Sequence, residues 1–293
     1  MATYTVRQGQ NIFDIAVHCH GSIEGVFDLL ISNPKLSMDS VLKPGQVLVY
    51  HDSFAVNSGI RDMLQNQGVV PANGERHVYY KEIDQNDMIM MFAVDPDAEE
   101  CLLKASGDGV ILVDWGDDSD IETIRLHGRA EIFNHFFDNK TDKRRVKLYA
   151  NTPVNFDSLD ISEMYGQLYL MKECVVDEYT NISTDVSLAP LFLFKQTYKV
   201  DLKFCHISDL SPLISLSLQE LDLRFCAFPS IEVVDDYLEG LVENYGSRRP
   251  CTVYLSVSPS ERGMAAIQTI INEPSWNSTG KWTFVINDTT YKA

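Results

Sequence analysis

The hexapeptide Val200-Asp201-Leu202-Lys203-Phe204-Cys205 returns 21 residues later as Leu221-Asp222-Leu223-Arg224-Phe225-Cys226. In both copies apolar residues alternate with charged ones, which predicts a strand with one buried face. A period near 20 residues is typical of stacked repeats, in which each strand pairs with its counterpart in the next repeat. Residues 168–170 and 253–255 share the order apolar–Tyr–Leu and are interpreted as further copies at irregular spacing.

This pattern resembles a degenerate leucine-rich repeat, because a cysteine follows the second apolar residue of each strand by three positions. In that family an Asn or Cys at this position turns into the repeat interior, so the resemblance implies buried, reduced thiols at Cys205 and Cys226. It also implies a short α/β solenoid over residues 151–293. Such a solenoid either presents an extended surface to protein partners or serves as a spacer without a binding surface.

The end of the chain departs from the repeat and predicts a strand–helix–strand crossover. Residues 235–245 and 261–272 place apolar side chains at helical spacing, and residues 252–257 and 282–286 are β-rich. The sequence Ser258-Pro259-Ser260-Glu261 has the form of a capping box at the start of the second helix. Because such a crossover joins parallel strands, the strand at 282–286 is expected to close the solenoid.

Residues 77–150 are predicted to form a small antiparallel β-sandwich. Their β-rich runs are separated by turn residues and lie at 77–83, 89–94, 101–105 and 110–115. The glycine-containing sequence at 106–109 is interpreted as a hairpin turn. The preceding residues 51–76 are interpreted as a connector with one short helix, capped by Ser58 and with three apolar side chains facing inward, Ile60, Met63 and Leu64.

The sequence Asp114-Trp115-Gly116-Asp117-Asp118, followed by His135-Phe136-Phe137, resembles a polycystic-kidney-disease-type (PKD) immunoglobulin-like domain over residues 77–150. The resemblance implies that the tryptophan packs in the core while the polar turn orders its loop. Asp118 stands where the family has a glycine, and Phe137 where it has a tyrosine. The four carboxylates between residues 114 and 120 are either calcium ligands or a solvated acidic turn. Their spacing is not that of an EF-hand, so no metal site is predicted.

The first fifty residues predict the element order β-α-α-β. A β-rich run at residues 4–6 leads to Asn11, which is positioned to cap a first helix that stops near Gly21. A second helix ends at Asn33-Pro34, and a turn then leads into a strand at 47–49. The second helix is predicted to bury one apolar face, made of Ile23, Val26, Phe27 and Leu30.

Three ordered blocks, at residues 4–16, 33–36 and 42–48, resemble a LysM domain that spans residues 1–50. The resemblance implies two helices packed on one face of a two-stranded antiparallel sheet. It also implies a shallow groove, formed by the loops after the first strand and after the second helix, that binds N-acetylglucosamine-containing glycans such as peptidoglycan. Carried onto this sequence, the groove residues are Gly9, Gln10, Asn11, Ile12, Asn33, Pro34, Lys35 and Leu36.

The same residues also have a purely structural interpretation, in which Gly9 makes a turn, Asn11 caps a helix and Asn33-Pro34 ends one. Two departures from the family pattern bear on the choice between glycan binding and this structural interpretation. Gln10-Asn11 replaces the usual Asp-Thr or Asp-Ser, and the segment between Asp14 and Asn33 is longer. The longer form resembles LysM modules of phage tail and baseplate proteins, in which the module serves for docking and does not require cell-wall binding.

The charge of the chain limits its partners. Its 293 residues carry 24 basic and 42 acidic side chains, a formal net charge of −18. Residues 1–50 hold only three basic and four acidic side chains, so almost all of the excess lies in the rest of the chain. Nucleic acid and anionic membranes are therefore not expected partners, since both need a basic surface. The nearly neutral first fifty residues suit an uncharged sugar.

The sequence predicts neither catalysis nor a cofactor. No GxSxG, HExxH or Walker motif is present. The six cysteines are widely spaced and are predicted to be buried thiols rather than disulfides. His18 and His20 point to different sides of a helix, so they are not expected to share a metal ion.

Three functional hypotheses follow. In the first, the LysM-like module binds peptidoglycan or another N-acetylglucosamine-containing glycan on a scaffold of β-sandwich and repeats. In the second, the chain is a structural protein of a phage or prophage tail or baseplate. In the third, it is an adhesin that acts through its repeats. Residues 1–7 lack the apolar segment of a secretory signal, so cytoplasmic synthesis, with or without incorporation into a virion, is expected and a cell-surface location is disfavoured.

Overall fold

The computed structural model describes residues 1–74, 83–138, 141–182 and 185–293. Within these ranges the chain is mixed α/β, with five α-helices, two strands in a small sheet and fourteen strands in one large mixed sheet. No helix in the described ranges has the length and apolar character needed to cross a bilayer. The strand expected at residues 77–83 lies, except for Ile83, outside the described residues.

The N-terminal unit consists of β1 (Ala2–Thr5), α1 (Ile12–His20), α2 (Val26–Ser32) and β2 (Val47–Tyr50). Strands β1 and β2 are antiparallel, with Ala2 opposite Tyr50. Apolar residues three and four positions apart give α1 one buried face. This face and its neighbours form a core of their own, made of Val6, Ile12, Ile15, Ala16, Cys19, Val26, Leu29, Leu42 and Leu48.

Helix α2 buries only part of the predicted face: Val26 is buried and Leu30 packs against the core, but Ile23 and Phe27 are exposed. Val26 and Leu29 are buried, whereas Ile23, Phe27 and Ile31 are 57%, 58% and 76% exposed. Hydrogen bonds between α2 and β2 account for this orientation. The Asp28 carboxylate accepts the His51 N–H at 2.8 Å, and the Asn33 side chain donates to the Val49 carbonyl and accepts the Val49 N–H. These bonds fix the rotation of α2 against β2. Phe27 and Ile31 lie four residues apart on one side of α2, and Ile23 lies in the 3-10 helix directly before it. We call these three exposed apolar residues the exposed stripe.

The connector contains helix α3 (Ser58–Asn66), whose cap is Asn57 rather than Ser58. The Asn57 side chain accepts the Ile60 N–H at 3.1 Å. Leu64 is buried, but Ile60 and Met63 are exposed, so the predicted inward face is wrong for these two residues. The start of α3 lies so close to Gly21 that any side chain at residue 21 would overlap the Asn57 carbonyl oxygen. Within α3, which lies entirely in the described range 1–74, Leu64 is the only buried residue.

Seven strands follow, and their pairing is antiparallel. They are β3 (Met88–Val94), β4 (Glu100–Asp114), β5 (Glu122–Leu126), β6 (Glu131–Phe136), β7 (Arg144–Tyr149), β8 (Asn155–Asp160) and β9 (Gly166–Leu170). The first half of β4 pairs with β6 and β8, and its second half with β5 and β7. Strand β3 lies between β7 and β9. Side chains from both sets of strands belong to one hydrophobic cluster.

Residues 106–109 do not form the predicted hairpin turn. They lie inside the 15-residue strand β4, which joins the runs 101–105 and 110–115 into one element. Gly107 and Gly109 have φ of 151° and 121°, values that other residues rarely adopt. The register with β8 shifts between Ser106 and Gly107. The glycines therefore bend β4 between its first half, which pairs with β6 and β8, and its second half, which pairs with β5 and β7. Glycines and bulges are common at such sheet corners.

Strands β8 and β9 connect the regions on either side of residue 150. β8 is antiparallel to β4, and its other edge is parallel to the next strand of the chain, β10 (Cys174–Thr180). The expected boundary at 150/151 thus falls inside a continuous sheet. Residues 168–170 lie in β9, antiparallel to β3, so their interpretation as a repeat copy is wrong. The prediction failed because three residues in the order apolar–Tyr–Leu are compatible with both antiparallel and parallel strand pairing.

From β10 onward the sheet is mainly parallel. The remaining elements are β11 (Phe194–Lys195), β12 (Lys199–Asp201), β13 (Glu220–Leu223), α4 (Glu232–Glu243), β14 (Thr252–Leu255), α5 (Glu261–Asn272), β15 (Thr283–Ile286) and β16 (Thr289–Lys292). Val200 pairs with Leu221, so the 21-residue offset of the repeat is the strand register itself. Val253 pairs with Leu221 in parallel, as expected for a further copy. Helices α4 and α5 are crossovers between parallel strands, which confirms that prediction.

Each repeat ends in the same turn. Asp201 and Asp222 accept the backbone N–H two residues on, at 3.2 and 3.1 Å. The thiols of Cys205 and Cys226 donate to the carbonyls of Asn181 and Leu202, both at 2.9 Å. All six cysteines are buried and unbridged, as predicted.

Two predictions at the C-terminal end are wrong. Helix α5 begins at Glu261 with Ser260 as its cap, so Ser258 and Glu261 are not in the positions that the predicted capping box requires. The Ser260 side chain makes no capping hydrogen bond, and its N–H donates to the Asp235 carboxylate of α4 at 3.0 Å. The strand at 282–286 does not close the sheet. The chain reverses at Asn287 and Asp288, whose φ values of 46° and 64° suit a two-residue hairpin turn, and β16 pairs antiparallel with β15.

Replacing Gly107 by alanine is expected to lower the free energy of unfolding by more than about 1 kcal/mol, because the native φ is unsuited to a side chain. In addition, the new Cβ would overlap the Asn155 carbonyl oxygen of β8. Gly128→Ala, in the loop between β5 and β6, is the matched control, since a Cβ there meets nothing within 4 Å. Urea unfolding curves compare the two variants, and equal losses would contradict the role of Gly107.

Candidate functional site

The first predicted groove loop is closed by internal hydrogen bonds. Gln10 is only 5% exposed. Its side-chain oxygen accepts the Arg7 N–H at 2.7 Å, and its side-chain nitrogen donates to the Pro71 carbonyl at 3.0 Å. Gly9 has φ of 67° and makes the turn. The amide group of Gln10 therefore already has partners for both its oxygen and its nitrogen.

Residues 71–74 of the connector lie directly on this loop. The Gly74 N–H donates to the Gly9 carbonyl at 2.6 Å, and the Asn73 N–H donates to the Asp14 carboxylate at 2.9 Å. A Cβ on Gly74 would lie 2.9 Å from backbone atoms of Gly9 and Gln10, so the two segments are in contact. We call residues 71–74 the covering segment. It lies against Gly9, Gln10 and Asp14 and covers this side of the loop.

Asn11 and Ile12 have structural roles. The Asn11 side chain accepts the N–H groups of Phe13 and Asp14, both at 2.9 Å, and the Asp14 carboxylate accepts the Asn11 N–H at 2.9 Å. This reciprocal pair is a capping box that satisfies the free N–H groups at the start of α1. Ile12 is 1% exposed and belongs to the core of the N-terminal unit.

The second predicted loop remains partly open. Asn33 is committed to α2 and β2, but Pro34 and Lys35 are exposed and Leu36 only rests against the core. Beside them lies a cavity of about 320 Å³ that also borders Gln46 and Val47. None of residues 9–12 lines this cavity. The eight predicted groove residues thus divide into a covered group and an open group.

A buried carboxylate between two histidines is a feature that the sequence did not reveal. Asp28 Oδ1 lies 2.6 Å from His51 Nδ1, and Asp28 Oδ2 lies 3.2 Å from His20 Nε2. Burial raises the pKa of Asp28, but the His51 hydrogen bonds and both histidines outweigh burial, and the pKa is lowered. Since the three residues belong to different elements, no local spacing signals the cluster. His18 packs instead on Tyr4, with ring centroids 5.2 Å apart.

The acidic turn after β4 is organised around one buried carboxylate. Asp117 is fully buried, and its Oδ2 lies 2.7 Å from His135 Nε2 and accepts the Asp138 N–H at 2.8 Å. The Trp115 and His135 rings stack at 4.6 Å. Burial raises the pKa of Asp117, but hydrogen bonds from His135, Ser119 and Asp138 outweigh it and hold the pKa well below its ordinary value. Asp118 adopts φ of 64°, which explains why a glycine suits this position.

Metal ligation and thiol chemistry find little support. In the described ranges no group of three or more His, Cys, Asp or Glu side chains is arranged to hold a metal ion. Burial raises the pKa of the Cys19 and Cys226 thiols to about 12 and that of Cys174 to about 11. A buried thiol that stays protonated is a poor nucleophile.

Comparisons with protein-family models, with curated proteins and with solved structures found no match for this chain. The resemblances noted in the sequence therefore stay predictions, and the function has to be argued from the geometry of the chain itself.

Asp117→Asn is expected to destabilise the protein by about 2 kcal/mol at pH 7, because it removes a charge that several donors stabilise. The folded-state pKa of Asp117 is lowered from 3.8, so its contribution is complete above about pH 5 and is lost as the pH falls below about 4. The difference between wild type and Asp117→Asn should therefore shrink in acid. Thermal unfolding between pH 7 and pH 3 measures it, and a constant difference would contradict the assignment.

Proposed function

We propose that the protein is a non-catalytic assembly component of a phage or prophage tail or baseplate, in which a LysM-type module docks onto a protein partner. In this proposal residues 1–50 are the LysM module, residues 77–150 a PKD/Ig-like sandwich and residues 151–293 a leucine-rich-repeat-like solenoid. The order β-α-α-β, the stacking of Trp115 on His135 and the register of the repeats are consistent with these three assignments.

The exposed stripe is the observation that carries this proposal. Ile23, Phe27 and Ile31 are each more than half exposed; Phe27 and Ile31 lie on one side of α2, and Ile23 lies in the short 3-10 helix that precedes it. An amphipathic helix usually turns such residues inward, and an apolar patch of this kind on a surface marks an interaction site more often than scattered single residues do. Because Asp28 accepts the His51 N–H and Asn33 donates to the Val49 carbonyl, α2 is oriented with the exposed stripe toward solvent. The near-neutral charge of the unit suits contact with another protein.

The covering segment favours docking over glycan binding. A sugar is recognised by free amide and backbone groups. In the first loop those of Gln10 and Asn11 are already bonded within the chain. The unit also rests on the sandwich, since Gly45 lies against the Phe136 ring and Arg7 is 3.3 Å from Glu99. The exposed Arg7–Glu99 pair adds little stability. Together with the Gly45–Phe136 contact, however, it favours an N-terminal unit that is fixed against residues 83–138 over one that moves independently of them.

The partner is expected among the products of neighbouring tail or baseplate genes, and co-expression with each tests the proposal. A complex of defined stoichiometry should appear by size-exclusion chromatography with light scattering. The double variant Phe27→Glu, Ile31→Glu should abolish it, because two charges enter the apolar contact. Ile132→Glu, at a residue that is 61% exposed on β6, is the matched control and should leave the complex intact. Absence of any complex, or equal loss in both variants, would contradict docking through α2.

Glycan binding through the second loop is a second candidate, favoured by the open cavity beside Asn33. If it occurs, the full chain should co-sediment saturably with purified peptidoglycan, and Gln46→Ala should weaken binding severalfold, while the Phe27→Glu, Ile31→Glu variant should not. Substitution of Asn11 or Asn33 is unsuitable here, because both residues hold elements together. A chain that stays in the supernatant would exclude this candidate.

A further inference from the structure

A cavity at the start of the parallel strands is lined by hydrogen-bond donors. It has a volume of about 310 Å³ and lies where the chain enters β12 and β13. Its walls include Lys195, Thr197, Ser217 and Arg249. It lies outside the N-terminal unit, and its assignment does not depend on the proposed function.

Arg249 is the principal group in this cavity. Its guanidinium carbon lies 4.2 Å from the centroid of the Tyr198 ring, a stacking contact that orients the planar group. In the described part of the chain its guanidinium forms no ion pair or hydrogen bond, although acidic side chains outnumber basic ones by 42 to 24. An oriented arginine that has no carboxylate partner is unusual in so acidic a protein.

The guanidinium of the neighbouring Arg248, by contrast, is fully used in hydrogen bonds that stabilise the fold. Its guanidinium donates to the carbonyls of Ile214 and Asn244, both at 2.7 Å, and to the Tyr245 carbonyl at 2.9 Å. These bonds satisfy the end of α4 and the loop before β13. The guanidinium of Arg249 makes no comparable bond to a carbonyl in the described chain, and stacking on Tyr198 leaves its N–H groups free to donate to a ligand.

Three further side chains of the cavity, Thr197, Ser217 and Lys195, carry groups that can donate hydrogen bonds. The Thr197 hydroxyl is buried and has no hydrogen-bond partner in the described chain. The Ser217 hydroxyl accepts the Arg249 N–H at 2.9 Å and donates to no described residue. Lys195 is 3.0 Å from Glu173, in a half-exposed pair that a stronger partner can displace. Two cations and two hydroxyl donors match a group that only accepts hydrogen bonds.

We propose that this cavity binds an oxyanion, either a carboxylate or a phosphate, held by the Arg249 guanidinium with the Thr197 and Ser217 hydroxyls and Lys195 as further donors. The planar fork of arginine pairs with two oxygens of either anion. Phe192, which is 60% exposed at the rim, would contact an apolar part attached to the anion.

Titration of the isotope-labelled full chain with sodium phosphate and, separately, with sodium glutarate tests the proposal by amide NMR. Sodium chloride at equal ionic strength serves as the reference. Saturable shifts of the Thr197, Ser217 and Arg249 amides are expected with at least one anion, and the anion that binds identifies the ligand chemistry. Arg249→Gln should weaken binding at least about tenfold, as expected for loss of a charged hydrogen bond.

Arg129→Gln is the matched control, because Arg129 is exposed in a loop between β5 and β6 and pairs only with Glu131 in the described chain. It should bind like wild type. If Arg249→Gln fails to fold, Arg249→Lys and Lys195→Gln replace it, and each should weaken binding. Absence of saturable shifts with both anions, or unchanged affinity in the Arg249 and Lys195 variants, would overturn the proposal.

Discussion

The hydrogen bonding of strand β4 is the constraint on which the large sheet depends. Its two halves pair with four different strands, and the bend between them at Gly107 and Gly109 directs the chain from one set of neighbours to the other. Strand β8 then pairs with β4 on one edge and with β10 on the other. The parallel strands are thus built onto an existing edge, and the antiparallel and parallel strands share one core.

The sequence predicts the repeat region best, because there the determining interactions have a fixed local period. A residue in β12 pairs with its counterpart 21 positions later, so the sequence offset and the strand register coincide. The N-terminal site was less predictable. Gln10 is bonded to Pro71, 61 positions away, and this contact decides whether the first loop is open. Asp28 and Asn33 help to decide which face of α2 is buried, and apolar spacing alone correctly predicts Val26 and Leu30 but not Ile23 and Phe27.

Charge has different roles in different parts of the chain. On the outward face of the parallel strands, Glu178, Lys199 and Glu220 occupy matching register positions, and Lys199 lies 3.1 Å from Glu220. Lys203 lies 2.9 Å from Asp201 on the same face. Such cross-strand pairs suit a surface that remains in water. The guanidinium of Arg249, at the start of these strands, differs from this pattern, because it forms no ion pair within the described residues and stacks on the Tyr198 ring.

The reversal at Asn287 and Asp288 has a consequence for solubility. A parallel stack has an open edge on which the strand of another molecule could add, and such edges promote aggregation. Strand β16 covers the edge of β15 with an antiparallel partner only four residues long, rich in threonine and ending in Lys292. Because its direction is opposite to that of the repeats, it offers a poor template for a further parallel strand. The hairpin thus places a short antiparallel strand, and not a parallel one, at this edge of the sheet.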